Sequence, residues 1–134
     1  MTYYLGKVSK NEYLILKNQN KIIFNFNTIC FQGIKKFYNT SYLNVLNPDN
    51  FIYNLETEIH EFVKNTLIGY DLKSNIIFDQ KQFLQFKIDD PNLLTLITPE
   101  TKLNLDIEVD KIKINEKTKS YQILLKLIKC IVKY

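Results

Sequence analysis

Leu103-Asn104-Leu105-Asp106-Ile107-Glu108-Val109 alternates apolar and polar side chains without a break. Successive residues of a strand point to opposite faces, so this heptapeptide presents four apolar side chains to one side and three polar ones to the other. It is the strongest two-residue period in the chain. Ile112 and Ile114 continue it after a one-residue slip, read as a β-bulge. Asn115 to Ser120 is polar and predicts a turn.

The segment beyond that turn, Tyr121 to Tyr134, fits two descriptions. Ile123, Leu124, Leu127, Ile128, Ile131 and Val132 match a helical face with Ser120 as its cap. They also match a strand paired with 103–114. A short polar turn after a strong strand favours the strand.

Working toward the N-terminus, Leu93–Ile97, Phe83–Ile88 and Ile76–Phe78 read as short strands, with Asp89-Asp90-Pro91-Asn92 as a turn. Tyr42–Leu46 is a further strand. Asn25, Asn27 and Gln32 interleave with Phe24, Phe26, Ile29 and Phe31, as in a half-buried strand. Tyr13–Leu16 and Ile22–Phe26 flank Lys17-Asn18-Gln19-Asn20, which predicts a hairpin. Tyr3, Leu5 and Lys7 alternate with Tyr4, Gly6 and Val8.

One amphipathic helix interrupts the strands, over about residues 50–66. Phe51, Leu55, Ile59, Phe62 and Val63 share one face, with Glu56, Glu58 and Glu61 mostly on the other. Asp49 or Asn50 is expected to cap it, and Gly69 to end it. The expected class is therefore α+β, mostly β: an antiparallel sheet or an OB-like, partly open barrel with one helix. A length of 134 residues suits a single domain spanning 1–134, and three Gly and three Pro leave no linker.

The chain carries 18 Lys and no Arg, Ala or Trp. Asn, Ile, Lys, Phe and Tyr dominate, a bias toward A/T-rich codons. Without guanidinium groups, anion binding falls to Lys ammonium groups and backbone N–H, which favours sequence-tolerant contacts over base readout. Charge is segregated along the chain. Residues 1–42 hold six Lys against Glu12, a net +5; residues 43–110 hold five Lys against twelve acids, a net −7; residues 111–134 hold seven Lys against Glu116, a net +6. If the first and last strands met in one sheet, they would form a basic face that attracts polyanions. The alternative is that the lysines solvate strand edges and block unwanted pairing.

Phe31 to Tyr42, FQGIKKFYNTSY, mixes a Lys pair with aromatics and a glycine in an expected loop. Single-stranded nucleic acid is held by such mixtures, with ammonium groups along phosphates and bases stacked on rings. Lys35, Lys36, Phe37, Tyr38 and Tyr42 are the candidate contacts. Lys111, Lys113, Lys117 and Lys119 are expected to extend the groove, with Tyr121 as a second ring. Core or hairpin packing is the competing role for Phe31, Phe37 and Tyr42.

Little else suggests chemistry. His60 is the sole histidine and is expected to be solvated among glutamates. It has no second His, no Cys nearby and no GxSxG with which to build a metal site or triad. No GxxxxGK[ST] or GxGxxG is present. We therefore expect no catalytic residues, no metal site and no cofactor, hence no enzyme. Cys30 and Cys130 lie in apolar surroundings and are expected as buried free thiols, which suits a reducing, intracellular compartment. The N-terminal residues lack the charged and apolar regions of a signal peptide, and no apolar run reaches a membrane span, so no membrane partner is expected.

The order of elements, with FQGIKKFYNTSYLNVLN, the helix FIYNLETEIHEFV, the strands QFLQFKI and LNLDIEV, and the closing YQILLKLIKCIV, resembles small OB-like single-stranded-DNA-binding proteins of large eukaryotic DNA viruses. That resemblance implies strand binding through a basic, aromatic sheet face and implicates Lys35, Lys36, Phe37, Tyr38 and Tyr42. The chain departs from it in its few glycines, which curled barrels use at bends, and in its lack of Arg. The alternative expectation is a viral structural or protein-interaction domain, a minor virion component or a host-factor-binding adaptor, with a protein partner or a homo-oligomer.

Overall fold

A computed structural model describes residues 2–47 and 50–134. Four strands come first: β1 (Tyr3–Ser9), β2 (Glu12–Lys17), β3 (Ile23–Phe37) and β4 (Thr40–Leu46). Helix α1 (Phe51–Val63) follows. Then come β5 (Asp71–Leu72), β6 (Ile77–Asp79), β7 (Lys81–Ile88), a short helix α2 (Pro91–Leu96), β8 (Lys102–Asn115) and β9 (Ser120–Lys133). The nine strands form one mostly antiparallel sheet in the order β1-β2-β8-β3-β4-β7-β6, with β9 on the other edge of β8.

The strictly alternating heptapeptide lies in β8, the central strand. Leu103, Leu105, Ile107 and Val109 are fully buried. The slip is a bulge: Val109 pairs with Leu125 and Lys111 with Leu124, leaving Asp110 as the extra residue. A second shift leaves Ile128 extra on β9, so the register recovers and the two strands pair along their whole length. The C-terminal segment is thus a strand, and 116–119 form its turn.

Two strands share the opposite edge of β8, end to end. β2 pairs with Lys113 and Ile112, while the first half of β3 pairs with residues 102–108. The expected hairpin at Lys17–Asn20 is therefore corrected. The tight turn forms, with Asn18 and Gln19 at positive φ and a Lys17–Asn20 bridge. Beyond that bridge β2 and β3 do not pair: β1 and β8 take the two edges of β2, and β8 takes the first half of β3.

β3 then bends. Its pairing with β4 shifts between Cys30 and Ile34, where Gln32 and Gly33 both have positive φ. The bend turns the second half of β3, with β4 and β7, over the first half of the sheet. Phe86 and Ile88 of β7 consequently pack in the same core as Leu127 and Cys130 of β9. Among the described residues no ladder joins β7 to β9, so the sheet is not closed into a barrel.

The core has two parts. One gathers Phe26, Cys30, Leu43, Val45, Leu84, Phe86, Leu103 and Leu105; the other gathers Ile15, Val109, Ile112, Ile114, Tyr121 and Ile123. Helix α1 spans both, placing Ile52 in the first and Ile59 and Val63 in the second. Fully burying each such side chain contributes about 1.5–3 kcal/mol.

The helix corrects the expected pattern at both ends and on one side. It covers residues 51–63 rather than 50–66. Asn50 precedes it without a side-chain cap bond, and Asp49 and Pro48 lie outside the described residues. Gly69 has positive φ but falls six residues beyond the helix. Glu56, expected on the solvent side, is buried. Its carboxylate accepts from Ser74 Oγ at 2.6 Å, Asn75 N at 2.7 Å and Asn75 Nδ2 at 3.0 Å. A buried carboxylate is tolerated only with donors of this kind.

Residues 93–97, expected as a strand, are mostly helix α2. Asp90 Oδ1 accepts from Asn92 N at 2.9 Å and Pro91 occupies the first turn. An Asp cap followed by Pro is a helix start, and here it outweighs the strand-like look of the short apolar run.

Candidate nucleic-acid interface

The stretch expected as a loop at 31–42 is a hairpin. β3 and β4 pair down to Phe37 and Thr40, and the turn is made by Tyr38, at positive φ, and Asn39. Directly paired residues share a face. Lys35 therefore stands beside Tyr42, and Tyr42 beside Lys87 of β7. The row Lys35–Tyr42–Lys87 crosses three strands on the face opposite Leu43 and Phe86, which are buried. Phe37 lies two residues beyond Lys35. Its ring meets that of Tyr38 edge-on, with centroids 4.6 Å apart.

These two rings are unusual for their size. Phe37 is 65% exposed and Tyr38 86%. The core-packing role therefore does not apply to Phe37. It does apply to Phe31, whose ring packs against Phe83 at 5.4 Å. Tyr42 is half-buried. Among the described residues Lys35, Lys36 and Lys87 form no ion pair, and their ammonium groups are free to meet an anion. Asp89 and Asp90 follow β7 on one side, where Asp90 is engaged in capping α2.

The other expected contacts lie elsewhere. β3 runs antiparallel to β8 and passes beyond its start at Lys102, whereas Lys113, Lys117 and Lys119 lie at or past its C-terminal end. Thirteen residues of strand separate the two ends of β8, about 43 Å if straight. The two lysine groups therefore do not form one groove. Lys111 is held by Glu12 at 2.9 Å, and Lys119 by Glu116 at 3.1 Å.

Tyr121 is corrected most clearly. It is 1% exposed, and burial pushes its hydroxyl up to about 12. That hydroxyl meets Nδ1 of His60, and the two rings stack. His60 is accordingly half-buried against β9 rather than solvated among glutamates.

The basic face expected from the chain ends does not form either. β1 and β9 are separated by β2 and β8. The acids of the middle segment intervene directly, since Glu108 pairs with Lys126 and Asp106 with Lys129. Segregation along the sequence is thus undone across the sheet. Asp106 also accepts from Asn25, which exchanges bonds with Asn104, so the outer face of β8 is a polar ladder.

Sequence reasoning missed Lys87. The alternation in QFLQFKI already put it on the polar face of its strand. Only the pairing of β7 with β4 set it beside Tyr42.

Other chemistry finds little here. Among the described residues no three His, Cys, Asp or Glu side chains come together to hold a metal ion. Both cysteines are free thiols; Cys30 is buried and Cys130 half-buried. Burial pushes both up, Cys130 to about 11, away from the reactive thiolate form. No helix among the described residues is long and apolar enough to cross a membrane. The chain matches no protein-family model, no curated protein and no solved structure.

Proposed function

We propose that the protein binds single-stranded nucleic acid, without catalysis and with little sequence preference, through the β3–β4 hairpin. One observation carries this reading: Phe37 and Tyr38 hold their rings in solvent at the end of a hairpin that carries Lys35 in a row with Lys87 on one face and Lys36 on the other, none of them ion-paired among the described residues. Two adjacent exposed rings offer an apolar surface on which a base can stack. A base has a π-face for each ring, and the phosphates that link bases are anions that Lys35, Lys36 and Lys87 can attract. Lacking guanidinium forks, these contacts read charge and stacking rather than base edges.

The protein-interaction alternative has less support. β9 does leave its outer edge without a ladder beyond Tyr121. Lys126, Lys129 and Lys133 recur along that strand, the pattern by which edges resist pairing.

The test is fluorescence anisotropy with labelled oligo-dT at two salt concentrations. With about three phosphates engaged, log affinity should fall with log salt at a slope near −2. Absence of binding at low salt would sink the reading. So would binding unchanged in a Phe37→Ala, Tyr38→Ala double variant.

A further inference from the structure

At the opposite end of β8 the turn between β8 and β9 overhangs a cleft of about 930 Å³, floored by Tyr121 and walled on one side by Lys73. That volume is at the upper end of the range for small-molecule sites. Three lysines are among its lining residues: Lys73, Lys113 and Lys117. None of them forms an ion pair among the described residues. The nearby acids are each bound to another group, although Glu12 also attracts Lys113. Glu12, which pairs across the ladder with Lys113, is bound by Lys111 at 2.9 Å. Glu116, the one carboxylate in the lining, accepts from the Tyr70 hydroxyl at 2.7 and 2.8 Å and from Lys119 at 3.1 Å.

Lys73 is brought there by two contacts of its own segment. β5 pairs with the start of β9, and Lys73 N donates to Tyr121 O at 2.8 Å. Asn75 Nδ2 then donates to Ile123 O at 2.6 Å. The wall is thus held by backbone and buried amide contacts, not by a loose loop. On the other wall Asn11, whose carbonyl accepts from Ile114 N, carries a covered side-chain oxygen with no hydrogen-bond partner.

We propose that this cleft binds a small phosphorylated molecule of nucleotide size, with its phosphate among Lys73, Lys113 and Lys117. A concave wall with three cations and no free carboxylate focuses positive potential on whatever enters it. Lysine binds phosphate as a point charge without needing the bidentate geometry that Arg supplies. The polar side chains of Thr118, Ser120 and Gln122 around the rim leave room for an organic part that is itself polar. The site is independent of the hairpin, being at the other end of β8.

The experiment is calorimetric titration of the full chain with ATP and with inorganic triphosphate, at low and at physiological salt. Wild type should bind at least one of the two with submillimolar affinity at low salt. Lys113→Gln and Lys117→Gln, both at exposed positions, should each weaken binding about fivefold, the loss of one charge-assisted contact. The double variant should weaken it further, while Lys35→Gln with Lys36→Gln should leave the ligand-induced amide shifts at 113–122 unchanged. No binding of either compound at low salt would overturn the proposal. So would an equal loss of those shifts in the hairpin variant, which would show charge attraction without a site. Amide chemical shifts confined to 113–122 and 71–75 on titration would support it, and shifts spread over the molecule would refute it.

Discussion

The hydroxyl of Tyr121 on β9 meets Nδ1 of His60 on α1, tying the chain's one histidine to its last strand. Both sit beside the second part of the core, where Ile59 and Val63 of the helix meet Ile112 and Ile123 of the sheet. The contact flanks the buried stripe of α1, since His60 lies about 100° around the helix from Ile59.

Tyr121 also makes stability depend on alkaline pH. Its hydroxyl ionises near 10 when unfolded and near 12 when folded, chiefly because burial disfavours the phenolate. Below pH 10 both states keep the proton and the stabilisation is complete. Above pH 10 the unfolded state releases it first, so stability falls as pH rises toward 12. Tyr3 is raised in the same direction, by burial and then by its bond to Glu58. Urea denaturation at pH 8 to 11.5 should show a declining midpoint, with a shallower decline in Tyr121→Phe. An equal slope in the variant would remove Tyr121 from the account.

Glu56 makes a second prediction. Its carboxylate gathers Ser74 Oγ, Asn75 N and Asn75 Nδ2, and so docks residues 74–75 onto the helix. Glu56→Ala leaves those donors unpaired in a closed site and should cost about 3 kcal/mol. Amide exchange at Asn75 should rise by at least the factor seen for global unfolding. Unchanged protection at Asn75 would mean the strap is held by the β5–β9 pairing alone.

At the hairpin, Phe37→Ala and Tyr38→Ala should separate binding from stability. Each ring is exposed, so either change should shift folding free energy by no more than about 0.5 kcal/mol. Each should weaken oligo-dT binding by about 1–3 kcal/mol if a base stacks on it. Anisotropy and thermal melts on the same samples give both numbers. A variant that loses stability but keeps affinity would return the rings to a packing role.

Gly33 tests the bend in β3. Its φ of +73° is a conformation in which a Cβ is strained, and a Cβ there would lie 3.4 Å from Pro99 Cδ. Gly33→Ala should cost about 1–2 kcal/mol. A Gly33→Ala protein as stable as wild type by denaturant titration would show that the bend relaxes.

The sequence alone was enough for the strands with a strict period, the helix and the class. Leu103–Val109 could not be anything but a half-buried strand, because its four apolar side chains share a face only at a two-residue repeat. The slip before Ile112 marked the bulge for the same reason. Phe51, Leu55 and Ile59 marked the helix, although its buried stripe is Ile52, Glu56, Ile59 and Val63, with Phe51 left 40% exposed, because the sheet meets the helix one residue around from the expected face. Asp90-Pro91 carried the start of α2 in plain view, but it looked like a turn because six residues are too few to show a helical period. Which strands are neighbours was not legible. Lys17–Asn20 has the local chemistry of a hairpin, yet pairing is decided by competition between strands distant in sequence, and here β1 and β8 take the edges of β2 while β8 takes the first half of β3. The same rule decided the site. Lys35 through Tyr42 were grouped by adjacency and stayed together, whereas Lys87 joined them, and Lys73 joined Lys113 and Lys117, only through ladders between distant segments. Charge along the chain predicted a basic face that the sheet does not have, because β8 carries Asp106 and Glu108 to the lysines of β9. A strand's own residues decide which of its faces is buried; only the folded sheet decides what stands beside it.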